Sequence, residues 1–102
     1  MEIAIEEPFA AKNIKTAIAI GHAHAVAMVV AAKNSLAVSG YAPRSVKRAV
    51  TDYGGSSKEQ VQEMVRILLD LKVLPPTDAA DALAVAICHL NAREFLNLNF
   101  QE

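Results

Sequence analysis

The chain has 102 residues, 53% hydrophobic and 21% charged, a composition that fits one small globular domain, residues 1–102, rather than two. Its formal net charge of -1 excludes the overall basic signature of a nucleic-acid binder, so any contact with DNA must be local. The single cysteine, Cys88, excludes an internal disulfide and suits a reducing compartment, and its apolar neighbours predict a buried, inert thiol.

The opening residues, Met-Glu-Ile-Ala-Ile-Glu-Glu, lack the positive start and long apolar run of a signal peptide. The most apolar stretch, residues 16–32, is interrupted by Gly21, His22 and His24 and is too short for a membrane span. A cytoplasmic protein with no membrane partner is expected.

In chain order, Glu2 to Glu6 alternates in side-chain direction, with Ile3 and Ile5 on one face and Ala4 and Glu6 on the other, which predicts a strand that Pro8 ends. Glu6 then lies at the strand's C-terminal end, where open α/β sheets place their ligands. A helix is expected from about Ala11 to Lys33. Ile14, Ala17, Ile18, Gly21, Ala25, Met28, Val29 and Ala32 follow helical spacing, while Ile20, Ala23, Val26, Ala27, Val30 and Ala31 make the remaining faces apolar as well. Such a helix needs cover on two sides, and another subunit is the expected source of one.

Leu36 to Gly40 reads as a second strand, and the strand-helix-strand order implies that it runs parallel to the first. Pro43 suits the first turn of a helix from Arg44 to about Thr51. Arg44, Lys47, Arg48 and Lys58 against Asp52 make residues 44–58 locally basic, which by charge alone describes a solvated helix face as well as a DNA contact. Ser57-Lys58-Glu59-Gln60 has the form of a capping box and opens a helix carrying Val61, Met64, Val65, Leu68 and Leu69. After the break at Leu74-Pro75-Pro76, a last helix is expected to begin at Thr77 or Asp78 and run through Leu90, followed by a tail without clear period.

Asp78 and Asp81 are three apart at a helix start and project from one face of its first turn. One reading makes Asp78 an N-cap and Asp81 a first-turn acid that complements the helix dipole. The other makes the pair ligands of a hard divalent cation, with Glu6 as the obvious third donor. His22 and His24, two apart on a helix, point in different directions and cannot chelate one metal. His89 reads as a helix-end histidine.

Five segments carry a resemblance in their order and spacing: Ala-Ile-Glu-x-x-Phe (residues 4–9), Ala-Lys-Asn (11–13), Tyr-Ala-x-x-x-Val-Lys (41–47), Lys-x-Gln-Val-Gln-x-Met-Val (58–65) and Asp-Ala-Ala-Asp-Ala-Leu-Ala-x-Ala-Ile-x-His (78–89). Together they resemble the RuvC-type Holliday-junction resolvases over most of the chain. That resemblance implies an α/β, RNase H-like fold in truncated form, with two parallel strands and about four helices. It implies metal-dependent hydrolysis of phosphodiesters at a four-way DNA junction in recombination and repair, in a bacterial cytoplasm.

The resemblance further implies Mg²⁺ or Mn²⁺ as cofactor, held by Glu6, Asp78 and Asp81 as catalytic ligands. Lys47 and Lys58 match basic positions that meet the scissile phosphate, and Phe9 matches an aromatic suited to stacking on an unpaired base. A packing role for Phe9 is the competing reading. Residues 13–33 match the family's dimer helix, though His24 stands where a basic residue is common. A junction branch-migration complex is the partner implied beyond the DNA.

One departure is large. The family's first catalytic Asp, in an Ile-x-Gly-Ile-Asp-Pro-Gly strand, has no counterpart here. Full-length members are about half as long again, so the resemblance implies a chain without the three antiparallel strands and first helix that precede Glu6. Weak or absent cleavage is the expectation, together with an open edge on the Glu2 to Glu6 strand that invites pairing or strand exchange between copies. The alternative is a non-catalytic module that dimerises or binds DNA.

Overall fold

The computed structural model describes residues 1–7 and 14–100. Its elements in order are β1 (Glu2–Glu6), α1 (Ile14–Lys33), β2 (Ala37–Tyr41), α2 (Pro43–Thr51), α3 (Lys58–Leu68) and α4 (Thr77–Phe100). Among the described residues the sheet has two strands, β1 and β2, parallel as the order of elements requires. Glu2 stands opposite Ala37 and Glu6 opposite Tyr41, and the ladder continues as the Glu7 amide donates to the Tyr41 carbonyl at 2.8 Å.

Local chemistry sets most boundaries. Pro43 occupies the start of α2, where its missing N–H costs nothing. The helix ends at Asp52, whose left-handed backbone (φ 67°) lets its amide donate back to the Arg48 carbonyl at 2.9 Å. At α3 both halves of the capping box form: Ser57 Oγ accepts from the Gln60 amide at 3.1 Å, and Gln60 Oε1 accepts from the Ser57 amide at 2.8 Å. In the intervening turn, the Thr51 hydroxyl donates to the Lys47 carbonyl at 2.8 Å and the Ser56 hydroxyl to the Tyr53 carbonyl at 2.7 Å.

Two expectations need correction. β2 begins at Ala37, not Leu36, and includes Tyr41, because the Glu7 amide extends the ladder by a residue. The last helix does not stop near Leu90 but runs to Phe100. Asparagines at 91, 97 and 99 blur the apolar period there, yet the intervening Ala92, Arg93, Glu94 and Leu96 are strong helix formers.

The core lies where α2, α3 and α4 converge: Val46, Val50, Val61, Val65, Ala84, Val85 and Cys88, with Ala4 and Tyr41 packed against it from the sheet. The pairs Val46/Val50, Val61/Val65 and Ala84/Cys88 are each four apart, so each helix presents one stripe. Cys88 is buried as expected, and burial pushes its thiol pKa up, which keeps it protonated and inert. α1 is different. Ala31 is buried, but Ile18, Val26, Met28, Val29 and Val30 are exposed, so the helix has the apolar faces predicted for it without a covering layer among the described residues. No helix among these residues is long and apolar enough to cross a membrane.

Candidate functional site

The C-terminal end of β1 and the first turns of α4 bring Glu6 and Asp81 to one place. Both line a cavity of about 180 Å³ together with Lys47 of α2 and Lys58, the first residue of α3, over a floor of Val46, Val61 and Ala84. Each side chain has a local reason for its position. Glu6 follows the strand alternation, Asp81 sits on the α4 face that also carries buried Ala84, and Lys47 extends from the helix anchored by Val46. Lys58 is aimed by the capping box immediately before it.

The electrostatics are those of a crowded anionic pair facing cations. Desolvation raises the Glu6 pKa, the Asp81 carboxylate raises it further, and Lys47 and Lys58 pull it back. Such a raised carboxylate contributes no net stabilisation as an ion pair at neutral pH.

A second, more open cavity of about 430 Å³ shares the same two carboxylates and is lined by β1, α1 and α4. Ala4, Ile5, Ile20, Ala23, Ala27, Ala82 and Val85 make its walls apolar, and His24 of α1 faces into it with Glu6 and Asp81. His24 was passed over as a metal ligand because it cannot act with His22. Its signal lay in the helical run Ile20-Ala23-His24-Ala27-Ala31, whose last member is buried.

The remaining predicted residues fall out differently. Asp78 is exposed in the first turn of α4 and lines neither cavity. It is also not the N-cap: α4 begins at Thr77, and the Pro76 carbonyl accepts the first bond, from the Ala80 amide at 2.8 Å. Phe9 lies outside the described residues. His89 is no helix-end residue, since α4 continues a further turn and more; it is buried mid-helix.

Carboxylate oxygens suit a hard divalent cation. Among the described residues, however, no three His, Cys, Asp or Glu side chains converge closely enough to hold one ion. Glu6 and Asp81 are half of a metal site at most, and no chemical step can be routed through an ion on these residues alone.

At the end of a parallel strand, where open α/β sheets place their ligands, two acids are met by lysines from two helices. The comparisons with known proteins give this arrangement its family. The family described as crossover junction endodeoxyribonuclease RuvC matches residues 1–89, and the chain belongs to the RuvC family. It is 57% identical over 101 residues to the crossover junction endodeoxyribonuclease RuvC of Dehalococcoides mccartyi, covering 98% of this chain and 61% of that protein. To the Magnetococcus marinus protein of the same name it is 46% identical over 94 residues, covering 92% and 52%. The chain thus spans about six-tenths of the length of the first of these relatives and about half of the second.

Solved structures agree. The Thermus thermophilus RuvC structure superposes with a TM-score of 0.79 at 38% identity, covering 91% of this chain and 58% of that one. T. thermophilus RuvC in complex with Holliday junction substrate superposes with a TM-score of 0.81 at 38% identity, covering 87% and 55%. The fold is therefore the α/β resolvase fold, represented by its two parallel strands and four helices.

Proposed function

We propose that this chain carries one side of a Holliday-junction resolvase site, that of a metal-dependent endonuclease acting at four-way DNA junctions in recombination and repair, and that it does not cut DNA by itself. The observation that carries this reading is the shared cavity of Glu6, Asp81, Lys47 and Lys58. In it, Lys47 and Lys58 meet the phosphate backbone, and their charge offsets what develops on phosphoryl oxygens. Glu6 and Asp81 supply oxygen donors for Mg²⁺ or Mn²⁺, with Asp78 as the further ligand the resemblance implies. Phe9 is the proposed stacking residue. No cutting is expected because Asp78 lines neither cavity, and the two carboxylates that share one leave an ion mostly to water.

A synthetic four-way junction tests this directly. Binding at low salt is expected, falling steeply as salt rises and weakened about tenfold or more by combined Lys47→Ala and Lys58→Ala, with no cleavage in Mg²⁺ or Mn²⁺. Failure to bind at any low salt would remove the DNA-facing reading. Robust cutting would remove the claim of an incomplete site.

The exposed apolar side chains of α1 favour a second element, association of two copies through residues 13–33. A junction has two-fold symmetry and presents two equivalent strands, which a symmetric dimer matches. Sedimentation should report a dimer or larger oligomer; a monodisperse monomer at tens of micromolar would refute it. Should the chain dimerise without touching DNA, the alternative of a non-catalytic dimerisation module stands.

A further inference from the structure

One buried ionisable side chain plays no part in the groove just described. His89 is 9% exposed, in the middle of α4, and both its ring nitrogens are engaged. Its Nδ1 lies 2.5 Å from the Tyr41 hydroxyl at the end of β2, and its Nε2 lies 2.7 Å from Glu2 Oε1 at the start of β1. The second Glu2 oxygen is 2.8 Å from Nη1 of Arg93, one turn further along α4. A carboxylate only accepts, so Nε2 carries the proton of the bond to Glu2; in that Nε2–H tautomer the Tyr41 hydroxyl donates to Nδ1. Burial holds the Tyr41 phenol above its ordinary pKa, which keeps it a donor. The chain of bonds joins both strands to α4 and, among the described residues, leaves no buried side-chain nitrogen or oxygen without a partner.

Its location gives it leverage on the groove. Glu2, Ala4 and Glu6 share one face of β1, and their partners Ala37, Ser39 and Tyr41 share the same face of β2. From Glu2 to Glu6 the strand advances about 13 Å, and from His89 back to Asp81 the helix retreats about 12 Å. The two elements therefore run antiparallel and are joined at matched points: His89 and Arg93 on Glu2 at one end, Asp81 beside Glu6 at the other, with Ala4 against the core that holds Ala84 and Val85 between them. The first end is bonded directly. At the second, Glu6 and Asp81 line one cavity as like charges, and the bond that reaches α4 comes from Tyr41, opposite Glu6 in the ladder, back to His89.

We infer that Tyr41, His89 and Glu2 form a positioning clamp that fixes the angle of α4 along β1 and so sets the placement of Asp81 against Glu6. The inference rests on the reading of Glu6 and Asp81 as site residues. A tilt of about 10° pivoting near the core, about 6 Å from either end, moves each end by roughly 1 Å, enough to spoil a hydrogen-bond or ligand distance at the groove. His89 touches no substrate in this scheme; it acts through α4.

Residual dipolar couplings of the whole labelled chain, free of DNA and metal, measure the orientation of α4 against the strands. Tyr41→Phe and His89→Leu are expected to turn α4 by about 10° or more, whereas His89→Gln, whose amide can accept from Tyr41 and donate to Glu2, should keep the wild-type orientation. Unchanged couplings in Tyr41→Phe, which removes a single hydroxyl and leaves the packing volume intact, would overturn the clamp even if His89→Leu failed to fold. Ring nitrogen shifts supply a second check: His89 of the wild type should carry a proton at Nε2, towards Glu2, with Nδ1 accepting, and the opposite tautomer would overturn it. Junction binding by the wild type is measured separately, so a failure of the DNA reading leaves the couplings to judge the clamp by itself.

Discussion

The two ends of β1 carry the same side chain in opposite circumstances. Glu2 is bonded by His89 and Arg93, and the hydrogen bond from His89, reinforced by the charge of Arg93, holds its pKa below the usual carboxylate value. Glu6, four residues on and on the same face, is pushed above that value by desolvation and by Asp81. One end is built to hold the helix and strand together; the other keeps charges in a place where they cost stability. Such a cost is expected where a ligand is served, and the Glu6 end is the one that Lys47 and Lys58 face, as the proposed site requires.

The largest test of this contrast removes what both ends share. Val65 is fully buried under the α2–α3–α4 junction, and Val65→Ala should lower the unfolding free energy by about 2 kcal/mol through lost apolar burial and a residual cavity. Because the core supports α4 between Glu2 and Glu6, urea unfolding should show both ends lost in one transition. Separate transitions at the two ends would break the picture of a single seam.

A smaller test separates them. Ser57→Ala removes the bond to the Gln60 amide and frees the start of α3, at a cost of about 1 kcal/mol. Lys58 is the next residue, so junction affinity should fall with the substitution while the Tyr41-His89-Glu2 bonds, read from the His89 ring shifts, stay as they were. Loss of both would mean that the cap supports the whole molecule rather than the groove.

The sequence made the ligand end far more legible than the clamped end, for physical reasons. Glu6, Lys47, Lys58 and Asp81 are polar groups set at the ends of readable elements, where a strand period, a proline start and a capping box fix their directions. The apolar surplus of residues 14–33 likewise announced a helix with uncovered faces. Asp78 and Asp81 were harder to tell apart, because spacing of three puts two acids on one side of a turn without saying which of them shares a cavity with Glu6. His24 and His89 were harder still. His24 reaches a cavity that β1 also lines, and His89 its bond to Glu2, only through how α1 and α4 are placed, and long-range placement of that kind leaves no local period. His89 was further disguised by an α4 that seemed to end beside it.

The smallest effect is a pH dependence whose sign differs between the ends. For Glu2, with its pKa lowered in the folded chain, the contribution to stability is present above the ordinary value of 4.5 and lost as pH falls through the lower folded value. For Glu6, with its pKa raised, the folded state binds the proton more tightly than the unfolded chain, so stability declines as pH rises from 4.5 through the higher folded value. Glu6→Gln should therefore raise stability at pH 7 by about a few tenths of a kcal/mol at a largely solvated site, seen as a higher melting temperature, and flatten the decline above 4.5. Glu2→Gln should lower it and flatten the loss below 4.5. Thermal melts of the two variants between pH 3 and 7 check this, and curves that shift in the same direction would mean the ends of β1 are not opposed. Asp81→Asn adds the decisive arm: with the repulsion gone, Glu6 should move back toward its ordinary value while Glu2 stays where His89 and Arg93 hold it.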